Sequence, residues 1–330
     1  MTDAVRERYL RFARDEAPGR SDMYAGWAAA IADDAEMLHL LAGISEQHRQ
    51  PPLVFAVSRM LGAPLGEYAD WREFVLVHAE ALRAECERRS IQTNEPLRAA
   101  ALLPALSRIT GPIALLEIGA AAGLCLYPDR YSYRFVDETG AERIRLDPDD
   151  GPSPVVLTSV VRGPLPPLQL PQIIWRAGID LDPIDVRRAD ERAWLEALIW
   201  PGETERAERI AAAIDIVADD PPTLVAGDAI DALDAAVSAA PAEATLAIST
   251  PGVLVYLPRA RRLELIGRLR ALDARWLTID QPRLHDAWIP ENAADGFSGC
   301  ALALDGHVLA DADPLGRWWE WRPHGGADAA

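Results

Sequence analysis

Residues Leu115–Leu124 have the sequence Leu-Leu-Glu-Ile-Gly-Ala-Ala-Ala-Gly-Leu, and this stretch decides the fold class. The apolar run begins at Ile113, lacks helical spacing and contains one acid, Glu117. A run that is apolar on both faces is typical of a buried parallel strand. The glycines and alanines that follow allow a tight turn and a close approach of the backbone to a ligand or to another element. The stretch predicts a buried strand with either a binding loop or a closely packed turn after it.

Acidic residues end three successive predicted strands in the remainder of the chain. These residues are Glu117, Asp180 and Asp228, and helical segments separate the later strands. Alternating strands and helices predict a parallel sheet that binds ligands at the carboxyl ends of its strands. Asp180, or its rival Asp182, suits the two hydroxyl groups of a ribose, and Asp228 suits the amino group of an adenine. For each aspartate alone, the alternative is a helix N-cap.

The order acid-x-Gly-x-x-x-Gly after a first buried strand resembles the cofactor loop of class I S-adenosylmethionine-dependent methyltransferases. The resemblance implies an α/β fold with a Rossmann-like sheet, S-adenosylmethionine as the cofactor, and a loop that makes room for its methionine and ribose. Ala121 stands where the middle glycine of that loop is usual. The cofactor-binding residues implied are Glu117, Gly119, Ala121, Gly123, Asp180 and Asp228.

A second resemblance covers essentially the whole chain and points to an uncharacterised bacterial domain-of-unknown-function family, which is thought to be methyltransferase-like. The segments that carry it are Gln92–Glu95, Leu116–Leu124, Asp129–Tyr133, Gly178–Leu181, Trp200-Pro201, Gly227-Asp228 and Gly316–Trp321. Two departures stand out. Ser249-Thr250-Pro251 replaces a His-Ser that is frequent in the family, and Pro314-Leu315-Gly316 replaces its usual Pro-His-Gly.

Two domains are predicted. Residues 1–108 have apolar positions at helical spacing, including Met23–Leu41 and Trp71–Arg89, and form a helical N-terminal cap on the substrate side. Residues 109–330 form the Rossmann-like domain, with a β-hairpin inserted at about 131–163. Asp305-Gly306 predicts a tight hairpin near the C-terminus.

The acceptor is expected over the end of the fourth parallel strand. Glu95 is the candidate base, and Tyr256 is the second candidate catalytic residue. The candidates for substrate binding are Asn94, Tyr127, Ser249 and His285. For the aromatic residues the alternative is packing, and for Asn94 or Thr93 it is an N-cap of the following helix, which would have Pro96 in its first turn.

Composition excludes several functional classes. The net charge of −18 disfavours binding to nucleic acid. The sequence has no lysine, so a P-loop lysine and a pyridoxal Schiff base are impossible. Three widely spaced cysteines have no zinc spacing and indicate reduced thiols, and no metal site is predicted. No apolar run is long enough to span a membrane and the N-terminus has no signal-peptide core, so a cytoplasmic protein is expected.

The sequence therefore predicts a methyltransferase, an enzyme that transfers one-carbon groups, acting on a small molecule or another non-nucleic-acid acceptor. The alternative is a non-catalytic protein that binds S-adenosylmethionine or a related nucleoside as a sensor or scaffold and contacts a protein partner.

Overall fold

The computed structural model describes residues 2–284 and 299–322. The chain divides into two compact units: residues 1–93 with 185–211, and residues 94–184 with 212–330. The predicted domain boundary is at residue 108. In the structure the helix that begins at Arg98 belongs to the second unit, while residues 185–211 belong to the first.

The first unit is helical and has an aromatic core. Its α-helices include α1 Thr2–Arg11, α2 Asp22–Ala32, α3 Ala35–Ala42, α4 Pro51–Met60, α5 Tyr68–Val77, α6 Ala79–Arg88, α8 Ala189–Ala197 and the start of α9 Thr204–Asp219. The rings of Trp27 and Trp71 stack with their centroids 5.1 Å apart, and Phe55 contacts both. Such pairs stabilise a core beyond the area they bury.

Two helices predicted as continuous are each broken in the structure. Met23–Leu41 is divided between α2 and α3 because Asp34 caps α3, its carboxylate accepting from the amides of Glu36 and Met37 at 3.1 Å. Trp71–Arg89 is divided between α5 and α6 at His78. The spacing of apolar residues does not reveal these breaks, because each of the four helices buries apolar side chains.

Within its described residues, the second unit contains a mixed sheet of 11 strands in the order β3-β2-β4-β11-β10-β9-β8-β7-β1-β5-β6. The strands are β1 Pro112–Ile118, β2 Ser132–Val136, β3 Glu142–Leu146, β4 Val156–Arg162, β5 Gln172–Asp180, β6 Thr223–Ala226, β7 Thr245–Pro251, β8 Arg275–Asp280, β9 Cys300–Leu304, β10 His307–Ala312 and β11 Trp318–Trp321. Its helices include α7 Arg98–Leu106, α10 Ala229–Ser238 and α11 Arg259–Ala271. The predicted α/β class is confirmed.

Five neighbouring strands, β6-β5-β1-β7-β8, are parallel and form the centre of the candidate site. After β1 the chain forms β2, β3 and β4 at the other end of the sheet, and the next two parallel strands of this group, β5 and β7, lie on opposite sides of β1. The strand order therefore reverses beside β1. In open α/β sheets, ligands bind at such a reversal, outside the carboxyl ends of the strands.

The two faces of β1 pack against different helices. Leu116 and Ile118 lie in an apolar cluster with residues of α10 and α11. Successive side chains of a strand point to opposite faces. Leu115 and Glu117 accordingly line a cavity together with Leu102 and Leu106 of α7. The only acid of the strand thus lies beneath α7.

The predicted inserted hairpin is corrected by the structure. Residues 131–163 form three strands, and β2 pairs with β3 in an antiparallel ladder but with β4 in a parallel one. A tight turn joins β2 to β3. In this turn the side chain of Asp137 accepts hydrogen bonds from the amides of Thr139 and Ala141, and Gly140 has a φ of 85°. β4 also pairs with β11, so these strands extend the main sheet.

The C-terminal hairpin is confirmed. β9 and β10 pair across Asp305 and Gly306, whose φ angles are 54° and 82°. Two successive residues with positive φ are the requirement of the turn that matches the twist of a hairpin.

Gly178 should be sensitive to a single added methyl group. A Cβ there would lie 2.4 Å from the Cβ of Ala120 and 2.8 Å from a methyl carbon of Leu224. We expect Gly178→Ala to lower the free energy of unfolding by about 1–3 kcal/mol through overpacking. The matched control is Gly267→Ala in α11, where nothing lies within 4 Å and where we expect a gain of about 0.5–1 kcal/mol. Urea unfolding would measure both, and equal effects would contradict this account of Gly178.

Candidate functional site

The loop that follows β1 has an unusual backbone. Gly119, Ala121 and Gly123 all have positive φ, at 77°, 49° and 74°. Only glycine adopts such angles freely, so Ala121 carries a conformational cost of about 1 kcal/mol. The loop then enters a single turn of 3-10 helix, Leu124–Leu126, which replaces a longer helix.

Asp180 holds this loop in place. Its Oδ2 accepts from the amide of Ala121 at 2.7 Å, and its Oδ1 accepts from the amide of Asp182 at 2.9 Å. The amide of Gly119 donates to the carbonyl of Ile179 at 2.8 Å. The end of β5 therefore fixes the conformation of the loop after β1. A carboxylate has about four acceptor positions, so two bonds do not exhaust Asp180.

Asn94 fixes the other side of the loop. Its Oδ1 accepts from the amide of Ala122 at 3.0 Å, and the side chain is 7% exposed. The expectation that Asn94 or Thr93 caps the next helix is wrong, because α7 begins at Arg98 without a side-chain cap. Glu95 instead accepts from the amide of Leu97 at 3.1 Å. Asn94 thus belongs to the loop structure.

The glycines of the loop are required by packing as well as by conformation. A Cβ on Gly119 would lie 2.9 Å from a methyl carbon of Val253, in the segment after β7. A Cβ on Gly123 would lie 3.1 Å from the ring of Pro222. The alternative of a closely packed turn therefore describes part of this loop correctly.

Glu117 is a buried acid beside this loop. It is 3% exposed, and its Oε2 has no hydrogen-bond partner among residues 2–284 and 299–322. Burial raises the pKa of Glu117 to about 8, against the opposing charge of Arg98 and with added repulsion from Asp180. Strongly shifted acids in a cleft are candidates for functional groups.

Ser249 lies next to Glu117 in the sheet, since the two residues are paired in the β1–β7 ladder. Its hydroxyl is buried and also has no partner within the part of the chain that the structure describes. Both residues line the small cavity beneath α7, which has a volume of about 10 Å³ and also includes Cys125. A void of that size is at the lower limit for one water molecule. The pair gives this end of β1 a polar lining.

Asp280 is a second shifted acid, at the end of β8. It is 2% exposed and accepts from the hydroxyl of Thr278 at 2.8 Å. Burial raises the pKa of Asp280 to about 7, although the Thr278 hydroxyl and the charge of Arg98 both act to lower it. Asp280 is not among the site residues predicted from the sequence. The sequence feature that predicts Glu117 and Asp180, an acid at the end of a buried strand, also applies to Asp280.

Arg98 is the cation close to both acids. Its Nε donates to the carbonyl of Pro314 at 2.9 Å, and an Nη donates to the carbonyl of Pro251 at 3.3 Å. It acts electrostatically on both Glu117 and Asp280. Nothing in the local sequence distinguishes it from other arginines, because its partners come from distant segments.

The other predicted site residues lie in different surroundings. Asp228 caps α10 by accepting from the amide of Ile230 at 2.8 Å, and it pairs with Arg261 at 2.7 Å. Tyr127 is fully buried, and its hydroxyl donates to the carbonyl of Asp220. Tyr256 is 76% exposed in a turn of 3-10 helix after β7. His285 lies outside the described residues.

Within residues 2–284 and 299–322, no group of three histidine, cysteine, aspartate or glutamate side chains could hold a metal ion. None of the helices in these ranges has the length and apolar character needed to cross a membrane.

A bacterial family described as "Uncharacterized protein conserved in bacteria (DUF2332)" matches residues 6–321. The chain belongs to this family. The expectation of membership in a bacterial domain-of-unknown-function family is thereby confirmed, and the family description names no activity. Neither a curated protein nor a solved structure gave a match. Membership in DUF2332 therefore assigns no chemistry to the chain.

The buried acids should make stability depend on pH in an unusual direction. A folded chain with a raised pKa at Glu117 keeps a proton that the unfolded chain releases above the ordinary value of 4.5. From about pH 4.5 to about pH 8, this group therefore lowers the free energy of unfolding by up to about 1.4 kcal/mol per pH unit. Glu117→Gln removes that loss, so its stability relative to wild type should rise across this range.

Urea unfolding at a series of pH values would measure the effect. Asp280→Asn should show the same trend up to about pH 7. Glu243→Gln, at an exposed position before β7, is the control and should follow the wild type at every pH. A constant difference between Glu117→Gln and wild type from pH 5 to pH 8 would contradict a raised pKa at Glu117.

Proposed function

We propose that this protein is a cytoplasmic S-adenosylmethionine-dependent methyltransferase of the class I, Rossmann-like type, acting on a small molecule or another non-nucleic-acid acceptor. One observation carries the proposal. The acid-bearing strand ends at Glu117, Asp180 and Asp228 belong to β1, β5 and the segment after β6, which are consecutive neighbours in the sheet. The three acids thus lie at one carboxyl edge of the sheet, in the order β1, β5 and β6, which is the order expected for residues that contact one bound nucleoside.

The strand order supports the same fold. With the parallel strands numbered along the chain, β6-β5-β1-β7-β8 has the order 3-2-1-4-5 of the doubly wound nucleotide-binding fold. The adjoining strand β9 is antiparallel to β8. The remaining strands β10, β11, β4, β2 and β3 extend the sheet well beyond that minimal pattern.

The residues at the edge fit the ribose of the cofactor better than its adenine. Asp180 has acceptor capacity left beyond its bonds to Ala121 and Asp182, as recognition of a ribose diol requires. The loop it holds is built of glycine and alanine; Gly119 is exposed, whereas the residues from Ala120 to Gly123 are buried. Asp228 already accepts from Ile230 and pairs with Arg261, so an adenine amine would share an occupied carboxylate.

The bound cofactor would supply a methyl group on a sulfonium for in-line displacement, and the protein would mainly contribute positioning. Asp180 would orient the ribose while it keeps the loop in its strained conformation. Burial raises the pKa of Glu117 to about 8, so at neutral pH its carboxyl group would be available to donate a hydrogen bond to a bound ligand. Tyr256, exposed beyond β7, is available to contact an acceptor. Glu95 bonds the amide of Leu97, which competes with a role as base.

The second candidate is a protein that binds the cofactor or a related nucleoside without transferring a methyl group. Two observations favour it. Tyr127 and Glu95, two of the polar side chains expected to serve the acceptor, bond to the protein's own backbone. Ser249 stands where the resemblance to the family implies a histidine. Cofactor binding without turnover of any acceptor would distinguish this function from the enzyme.

Calorimetric titration with S-adenosylmethionine and S-adenosylhomocysteine tests cofactor binding. We expect binding by wild type and a loss of at least about tenfold in affinity for Asp180→Asn, since an amide lacks the second acceptor oxygen needed for a diol. Asparagine keeps one acceptor for the loop, which makes it gentler than alanine.

Asp182→Asn is the matched control, because Asp182 is exposed and two residues from Asp180. Its affinity should equal that of the wild type. Circular dichroism would verify that all three proteins are folded. Absence of binding by folded, ligand-free wild type would overturn the proposed cofactor, and equal losses in both variants would contradict the specific role of Asp180.

A further inference from the structure

Arg98 is fixed at the carboxyl edge by backbone carbonyls. It opens α7, and its guanidinium bonds the carbonyls of Pro251, which ends β7, and of Pro314. The second carbonyl reaches it because Gly316 packs on the start of α7, where a Cβ would lie 2.1 Å from the carbonyl oxygen of Leu97. A side chain held by two separate segments loses little entropy on binding a ligand.

Arg98 has no acid within ion-pair distance in the ranges 2–284 and 299–322. Many other arginines of the protein do have one; Arg176, for example, lies 2.7 Å from Asp129. Arg98 acts electrostatically on Glu117 and Asp280, and burial raises the pKa of each, to about 8 and about 7. Below pH 7 both are mainly protonated, so they do not neutralise the guanidinium.

The side chain of Arg98 is not fully enclosed by the protein. Arg98 is partly exposed, and Gly252 lies beside it, with the position of a Cβ 3.5 Å from an Nη atom. The segment that continues from Gly252 carries the exposed apolar side chains of Val255 and Tyr256. Cation and apolar surface thus come from the same edge of the sheet.

We propose that Arg98 binds the carboxylate of a small-molecule ligand at the carboxyl ends of β7 and β8. A guanidinium has five N–H groups in a planar fork, and the two bonds to Pro251 and Pro314 leave three for a carboxylate. Charge-assisted bonds of this kind are about twice as strong as neutral ones. The identity of the ligand that carries the carboxylate rests on the proposed function, whereas the carboxylate site itself does not.

Two molecules could supply the carboxylate. One is the acceptor, and the other is the amino-acid end of the cofactor. Asp180 and Asp228 belong to the β5–β6 side of β1, whereas Pro251 and Asp280 belong to the β7–β8 side. Neighbouring strands are about 4.8 Å apart, so the end of β7 lies two strand spacings, roughly 10 Å, from the end of β5, where Asp180 is predicted to hold the ribose. This separation favours the acceptor.

The test compares two pairs of ligands that differ by a carboxylate. Benzoate and benzamide, titrated without cofactor, represent an acceptor with an apolar body. S-adenosylhomocysteine and 5′-methylthioadenosine differ in the amino-acid end. Each pair is titrated into wild type, Arg98→Gln, Arg98→Lys and Arg283→Gln, with saturation-transfer NMR for the first pair and calorimetry for the second. Arg283 is exposed just after β8 and controls for the loss of one positive charge.

We expect wild type to prefer benzoate to benzamide and Arg98→Gln to weaken benzoate by about tenfold or more, with benzamide unchanged. Arg98→Lys should retain part of the preference, and Arg283→Gln all of it. A loss confined to S-adenosylhomocysteine would assign the same site to the cofactor.

Two results would overturn the inference: affinities for both carboxylates that do not depend on Arg98, or no binding of either carboxylate to wild type. Benzoate binding that depends on Arg98, without binding of either nucleoside, would retain the carboxylate site and reject the proposed cofactor. Should Arg98→Gln fail to fold, Arg98→Lys still tests the fork, because lysine keeps the charge and loses the planar geometry.

Discussion

The hydrogen bond from the amide of Ala121 to Asp180 is the interaction on which the candidate site depends. It holds a non-glycine residue at a φ of 49°, between two glycines that also have positive φ. The bond to Asn94 secures the next amide, and together the two bonds offset the conformational cost. Without them the small residues after β1 would have no single conformation, and the carboxyl edge would lack a defined surface.

Much of this arrangement follows from the sequence because parallel strands end at a common edge. The buried run before Gly119, and the acids at 117, 180 and 228, were enough to place three neighbouring strand ends. The turn at Asp305-Gly306 was predictable because its requirement for positive φ is local. The pairing of β4 with β11 joins segments more than 150 residues apart, and no local pattern encodes it.

The polar residues of the site were predicted less well, since their partners are set by tertiary structure. Asn94 was expected at a helix cap or a substrate site, and its carbonyl oxygen instead bonds a loop amide 28 residues away. Arg98 depends on carbonyls of Pro251 and Pro314, which sequence proximity does not reveal. The electrostatics are likewise collective. Burial raises the pKa of Glu117 to about 8 and that of Asp280 to about 7. Below these values the two acids are mainly uncharged, and Arg98 remains a positive group at an edge of a strongly acidic protein.

A crystal structure of the protein with S-adenosylhomocysteine would test the central claim most directly. We predict the nucleoside at the carboxyl ends of β1 and β5, with both ribose hydroxyls donating to the carboxylate of Asp180 while Ala121 keeps its bond to the same group. A ligand bound elsewhere, or bound at this edge with its ribose away from Asp180, would contradict the account.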